Sequence, residues 1–471
     1  MLATQHLIAF LSLFTALFSP AIARPAALEK RALPSSLDSF YQPPSGFENE
    51  APGAILRQRS VVVSFFGLVP DPVEAWQLLY RTTAVNGSAI AEITTVFKPS
   101  SSNLKTDRFV DFNTAYDGAA RSGVCSPSYN YQLGAVQIDI ISSVEYFLLQ
   151  AFLLQGYIVS SPDYEGPDSA FAAGRLAGMG VLDSIRAVTN FKSTLGLSTS
   201  TPAVVGYGYS GGGLATGWAA SLQQTYAPEL NIKGWASGGT PANLTGTAQY
   251  LDGTLFAGFL PQALVGLSSP SAYGNVLVPF FAEHATDYGK AVLETASQIC
   301  GTENLFTFEF GDIESTKVQD TGDQLFYQTI LAPILDQETM GQTKNITPIA
   351  PVYLYHAQND EIITYANAST LDTTWCNYGA SVEFVTFAAG GHATTEILGF
   401  PGAYQFVNDA FAGNVGGPCT RKTVLNDTLD PLALGVQLEP VVVQLLNGLA
   451  LAGREDANIL SNLANWNKTI S

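Results

Sequence analysis

Histidine is scarce in this chain, at four residues in 471. One of them, His6, stands in the N-terminal apolar stretch, so any chemistry that needs an imidazole has three candidates, His284, His356 and His392. Charge is thin as well: Asp, Glu, Lys and Arg make up 13% of the residues, and 40 acidic against 21 basic side chains give a formal charge of −19. That balance argues against nucleic acid and anionic membranes as partners. It fits an extracellular protein working in acidic surroundings, with glycans supplying part of its solubility. Cysteine is limited to Cys125, Cys300, Cys376 and Cys419, with no C-x-x-C spacing, which argues against a zinc or thioredoxin-type site. No internal repeat or long low-complexity segment is present. An uninterrupted apolar run of the ~20 residues a membrane span needs is also missing. Leu7–Phe18 is too short, and Leu432–Leu451 is broken by Gln437, Glu439, Pro440 and Gln444.

The short run Leu7–Phe18 followed by Ala21-Ile22-Ala23 reads instead as a secretory signal over residues 1–23, although its start carries no Lys or Arg. A propeptide and extended lead-in over 24–54 is expected, with the dibasic pair Lys30-Arg31 as a processing site and Pro, Ser and Gly frequent after it. Six N-x-S/T sequons, at Asn86, Asn243, Asn345, Asn367, Asn426 and Asn467, support secretion independently. In an oxidising compartment the four cysteines make two disulfides. Four cysteines allow three pairings, and the residues alone do not choose among them.

Strands are predicted at Leu78–Thr83, Ile93–Phe97, Phe109–Asn113, Tyr157–Ser161, 203–207, Gly234–Ala236, Val352–His356 and Val382–Phe387. Small and apolar residues at helical spacing predict a helix over Ala170–Phe191, and another runs from Ser210 to Tyr226. Alternating β and α elements imply an α/β fold, a mostly parallel sheet with helices on both faces. Residues 243–342 break that rhythm with several short, Phe-, Leu-, Ala- and Gly-rich helices. They read as an inserted helical cap or lid between a first core part, 55–242, and a second, 343–420; additional core helices are the alternative. The tail 421–471 either packs on the body or forms a flap, and its polar end Asn465–Lys468 carries no lipid-anchor pattern.

Chemistry is concentrated at Gly208-Tyr209-Ser210-Gly211-Gly212, between the apolar run Ala203-Val204-Val205 and a helix. Glycines on both sides of a serine in a strand–turn–helix context let the backbone turn sharply and lift the hydroxyl clear of the sheet. Ser210 is therefore the candidate nucleophile. Such a serine needs a base, and the base needs an orienting acid. His392, in Gly390-Gly391-His392-Ala393 after a strand, is the preferred base. His284 lies in the inserted region, and His356 sits at the end of its own strand, where a structural hydrogen bond is the commoner role. Asp360, after the strand ending at His356, is the orienting acid, with Glu361 as competitor; Asp372 and Glu383 read as solvated charges. One oxyanion donor is the amide of Gly211 at the helix start. A second belongs to the loop Thr114–Gly118, where Asp117 on its own reads as a turn residue.

These residues together resemble the fungal secretory lipase family. The likeness runs from roughly 55 to 420 through Tyr80-Arg81-Thr82-Thr83, Cys125-Ser126-Pro127-Ser128-Tyr129 and Val159-Ser160-Ser161-Pro162-Asp163-Tyr164-Glu165-Gly166. It continues through the Ser210 pentapeptide, Tyr226-Ala227-Pro228-Glu229-Leu230, Asp360-Glu361-Ile362-Ile363 and His392-Ala393-Thr394-Thr395-Glu396. The resemblance implies an α/β-hydrolase fold with a cap, a triad of Ser210, Asp360 and His392, and an oxyanion hole of Gly211 and Asp117. It also implies the bridges Cys125–Cys300 and Cys376–Cys419. The activity expected is hydrolysis of fatty-acid esters, triacylglycerols above all, by a secreted monomer that meets its substrate at an oil–water interface and requires no metal or other cofactor. The alternatives are a short-chain esterase acting on a secondary metabolite, an acyltransferase, and a catalytically silent binding protein of the same fold.

Overall fold

The computed structural model describes residues 32–425. The expected signal segment, Lys30-Arg31, the sequons at Asn426 and Asn467, and the tail beyond Leu425 lie outside the described residues. Short apolar runs, buried on both faces at the centre, build a ten-stranded sheet. Its strands are β1 (Ile55–Ser60), β4 (Glu74–Thr83), β5 (Ala89–Lys98), β6 (Arg108–Asn113), β7 (Ile158–Pro162), β8 (Ala203–Tyr209), β9 (Ile232–Gly238), β10 (Val352–Ala357), β11 (Val382–Phe387) and β12 (Thr420–Val424). A small separate hairpin, β2 (Ser64–Phe65) and β3 (Val69–Pro70), lies between β1 and β4 in the chain. The order across the sheet is β1-β4-β5-β7-β6-β8-β9-β10-β11-β12. The pairs from β7–β6 onward are parallel, and the β1–β4, β4–β5 and β5–β7 pairs are antiparallel.

Eleven helices of seven residues or more accompany the sheet among the described residues. They are α1 (Ile140–Leu154), α2 (Gly174–Asn190), α3 (Gly211–Tyr226), α4 (Leu244–Leu251), α5 (Phe259–Leu267), α6 (Gly274–His284), α7 (Asp287–Ala296), α8 (Gly301–Thr307), α9 (Leu331–Gln337), α10 (Tyr365–Tyr378) and α11 (His392–Ala412). Strand residues send successive side chains to opposite faces. On β10, Val352 and Leu354 join α2, α3 and α10 in one core, while Tyr353 and Tyr355 join α1 and α11 in the other. Helices α4 to α9 fill the excursion between β9 and β10, two strands that are neighbours in the sheet. Residues of α4, α5, α6 and α9 form a third apolar cluster with Ala170, Ala172, Ala173 and Leu176, at the entry to α2.

The parallel crossover from β7 to β8 through α2 passes over β6, which lies between them. Two differences from the sequence reading have physical causes. The lead-in is not extended from residue 34 onward: it makes 3-10 turns at Ser39–Tyr41 and Phe47–Asn49, and Phe40, Tyr41 and Phe47 cover Leu79, Ala91 and Ile93 of β4 and β5. Asp372 is not a solvated charge: it is 2% exposed and accepts a 2.5 Å hydrogen bond from Arg421. Glu383 is one, a half-exposed side chain that pairs with Lys422 at 2.5 Å on the surface. The structure joins Cys125 to Cys300 and Cys376 to Cys419.

Trp218 of α3 is completely buried in the α2–α3 side of the core. Replacing it with Ala removes a large aromatic from a packed site, so Trp218→Ala is expected to lower unfolding free energy by about 3–5 kcal/mol. Denaturant unfolding followed by circular dichroism measures this, and an unchanged midpoint would contradict the packing described.

Candidate active site

The chain turns from β8 into α3 within a single residue. Ser210 has φ 53° and ψ −121°, a conformation that costs a non-glycine residue about 1–3 kcal/mol. The neighbours hold it there: the Ser210 amide donates to the carbonyl of Gly238 at 3.0 Å, and the Leu214 amide donates to Ser210 O at 2.9 Å. The flanking glycines are needed for space. A Cβ on Gly208 would lie 2.2 Å from Gly212 O, and one on Gly212 would lie 1.9 Å from Asn113 O at the end of β6. The pentapeptide therefore nests against β6 and β9, leaving the Ser210 side chain at the end of the sheet.

Two further side chains reach this hydroxyl in series. His392 Nε2 lies 2.8 Å from Ser210 Oγ, and His392 Nδ1 lies 2.7 Å from Asp360 Oδ2. With a proton on Nδ1 directed to the carboxylate, Nε2 is free to accept the serine hydroxyl proton. Asp360 is immobilised in turn: its Oδ1 accepts the amides of Ile362 at 2.9 Å and Ile363 at 2.7 Å. His356, at the end of β10, makes the structural bond anticipated for it, Nε2 to Ile363 O at 2.8 Å, and also approaches Asp360 Oδ2 to 3.2 Å. Glu361 does not reach the imidazole. Its Oε2 accepts the His392 amide at 2.9 Å, while Tyr209 OH donates to His392 O at 2.7 Å. The two adjacent acids divide the work, one holding the ring and the other the backbone at the start of α11.

Burial works against charge on both partners, and their mutual attraction overrides it. Asp360 is held well below the ordinary carboxylate range despite burial, chiefly by His392 and His356. Burial alone would lower His392, but Asp360, with Glu361 and Glu396, raises it to about 9.

The loop after β6 brings Asp117 to the same place. Asp117 is buried at φ 35°, and its Oδ1 sits so close over Gly211 that a Cβ there would lie 2.0 Å away. Burial pushes its carboxyl up to about 6, against the pull of His392. The Cys125–Cys300 bridge ties this loop to the start of α8, where a Cβ on Gly301 would lie 2.2 Å from Asp117 O. Asp117, Ser210 and Gly211 together border a pocket of about 770 Å3, counting its open mouth. Beyond them and Thr247 its lining carries no polar side chain: Phe171, Leu214, Leu251, Phe259, Leu264 and Ile363 are typical.

Other sequence candidates fall elsewhere. His284 pairs through Nδ1 with Asp320 at 2.8 Å, at the partly exposed end of α6. Asn86 and Asn345 are exposed, Asn243 caps α4 through its side-chain oxygen, and Asn367 is half-buried beside it. Asp372, Cys376 and Cys419 place ligand-type atoms within 4.8 Å of one another. The two sulfurs are bonded together and Asp372 is engaged by Arg421, so this donor set does not fit a metal. Sequence reasoning missed the contact of His356 with Asp360, for which their four-residue separation was the available signal. It also missed a buried acidic pair, Glu145 and Glu396, behind the Asp117 loop.

The elevated His392 value has a direct test. Its imidazole is expected to titrate near 9, and Asp360→Asn removes the largest influence that raises it, so the titration moves down toward neutrality. Ring-proton NMR across the pH range measures both, and identical titrations in the two proteins would contradict the assignment of cause.

The secretory lipase family model matches residues 131–417. A secreted triacylglycerol lipase of Malassezia furfur is 37% identical over 426 residues, covering 89% of each chain. One of Malassezia restricta is 39% identical over 404 residues, covering 84% of each. Among solved structures, Candida antarctica lipase A superposes with a TM-score of 0.78 at 31% identity, over 88% of this chain and 96% of that one. The fold is that of an α/β-hydrolase, and the chain belongs to the secretory lipase family.

Proposed function

We propose that this secreted protein is a triacylglycerol lipase that cleaves fatty-acid esters through an acyl-enzyme. The observation that carries the reading is the continuous hydrogen-bond chain Asp360–His392–Ser210 opening onto an apolar pocket. Ser210 Oγ attacks the ester carbonyl while His392 Nε2 takes its proton. Asp360 keeps the imidazole in the tautomer that can accept it and stabilises the imidazolium that forms. The amides of Gly211 and Asp117 receive the oxyanion, assisted by the positive end of α3. Collapse expels the alcohol, which takes its proton from His392. Water then repeats the sequence on the acyl-serine and releases the fatty acid.

The 243–342 segment acts as the cap over the sheet's active end. It contributes Leu251, Phe259 and Leu264 to the pocket and so selects an alkyl chain over a polar acyl group. Leu255, Phe306 and Phe310 of the same segment are 44%, 80% and 64% exposed, apolar surface suited to transient contact with an oil–water interface. The kinship with secreted triacylglycerol lipases supports the same substrate class.

On p-nitrophenyl esters, octanoate is expected to exceed acetate in kcat/KM, and emulsified triacylglycerol to be hydrolysed. Ser210→Ala should lower kcat by about a millionfold. Preference for acetate with no attack on the emulsion would overturn the lipase reading, and an unimpaired Ser210→Ala would overturn the mechanism.

A further inference from the structure

Helix α2 begins without a cap of its own. Ala173 stands at its N-cap position and makes no side-chain cap bond, although the first turn of a helix leaves its amides without intrahelical partners. The acceptor comes from 163 residues downstream. Glu338, fully buried immediately after α9, accepts the Arg175 amide on Oε2 at 3.0 Å and the Tyr273 hydroxyl on Oε1 at 2.5 Å. Its Oε2 also lies 3.2 Å from where a Cβ on Gly174 would stand. Tyr273 immediately precedes α6, so this one carboxyl joins two parts of the 243–342 segment to the first turn of a core helix. A carboxylate in that position also meets the positive end of the helix. Two residues further on, the Met340 amide donates to Ala242 O at 2.9 Å and closes the excursion at its root.

The residues leading into α2 need such a hold. Ser169 and Ala172 have φ of 52° and 68°, a region that residues with a β-carbon occupy only where their surroundings impose it. Phe171 and Ala172 both line the apolar pocket. The Phe171 backbone also supports α5, since a Cβ on Gly266 would lie 2.2 Å from Phe171 O and 2.4 Å from Phe171 N. On one side the segment is anchored by Ser169 Oγ, which donates to Ala120 O at 3.1 Å, and by Ser269 Oγ, which donates to Asp168 O at 3.2 Å. On the other it runs straight into the turn that Glu338 caps.

We infer that Glu338 is a positioning residue: by capping α2 and tethering Tyr273, it fixes the Phe171–Ala172 wall against α5 and so sets the fit of an alkyl chain in the pocket. It does not line the pocket itself and acts through those two residues. The inference rests on the proposed use of that pocket for the acyl chain. Without the carboxyl, the Arg175 amide and the Tyr273 hydroxyl lose their acceptor, the strained entry to α2 relaxes, and the wall gives way.

The test uses the full chain, p-nitrophenyl octanoate and acetate, and amide hydrogen exchange read at Arg175. In Glu338→Ala the octanoate-to-acetate ratio of kcat/KM is expected to fall about tenfold, through KM for octanoate, with kcat on acetate within about twofold of native. Exchange at Arg175 should quicken about tenfold or more. Glu338→Gln keeps an oxygen for the Arg175 amide and an N–H for the Tyr273 oxygen, so it should restore most of both. Tyr273→Phe frees the 243–342 side alone, lowering the ratio about threefold while Arg175 exchange stays native. A native ratio or unchanged Arg175 exchange in Glu338→Ala overturns the inference. Should that variant not fold, Tyr273→Phe decides, and a native ratio there overturns it too. Exchange needs no turnover: a native protein inert toward both esters would sink the hydrolase reading, while Arg175 exchange still decides whether Glu338 holds α2.

Discussion

A parallel strand must hand over to a helix in one residue at Ser210, and much of the surrounding structure meets that demand. The turn puts a β-carbon where L-residues rarely go, and it closes because the Gly208 and Gly212 backbones pack against each other and against Asn113. That packing requires β6 and β9 on either side of β8, which the parallel order supplies. In return the helix start, the ends of β6, β10 and β11, and the loops that follow them converge at the sheet's carboxyl end, the general location of sites in such sheets. The local strain is offset by a sheet and two helical layers that leave Tyr207, Tyr209 and Trp235 fully buried.

The convergence brings acids together in greater number than bases. Burial pushes Asp111 and Asp139 up to about 7 and Asp117 and Asp163 up to about 6. A carboxyl raised by folding binds its proton more tightly in the native state. It favours the fold fully below its unfolded value near 4, and that contribution is lost as the pH rises through 6 to 7. Asp360 works in the opposite sense: its lowered value stabilises the fold above the ordinary range and loses that effect in strong acid. The net bias is toward a fold comfortable in mild acid, in keeping with the acidic composition. His392 acts in the same sense as the raised carboxyls: held up to about 9 by Asp360, it favours the fold fully below its ordinary value, and that contribution is lost as the pH rises through 9.

The parts legible in the sequence were those with a local signature. The central strands are short apolar runs, the Ser210 turn has paired glycines, and Asp360 and His392 follow recognisable strands. Edge strands were not legible: β1 reads Ile-Leu-Arg-Gln-Arg-Ser and β12 reads Thr-Arg-Lys-Thr-Val, polar because one flank faces water. Helix α1 escaped for the opposite reason. Its sequence is apolar nearly all round, with Ile141, Val144, Phe147 and Leu154 on the less buried side as well, so it shows little periodicity. Asp117 looked like a turn residue because its setting is made by Gly211 and Gly301, distant in sequence. Asp372 looked solvated because its partner, Arg421, is 49 residues away. Pairings across such distances leave no trace in the residues around either partner.

The account stands on Ser210 being the atom that receives the acyl group, with the chain running into the apolar pocket. A crystal structure of the protein reacted with a long-chain alkyl phosphonate ester tests this most directly. The account predicts phosphorus bonded to Ser210 Oγ, the phosphoryl oxygen within hydrogen-bond reach of the Gly211 and Asp117 amides, and the alkyl chain against Phe259 and Leu264. An unmodified Ser210, or an adduct whose chain lies outside that pocket, would contradict it.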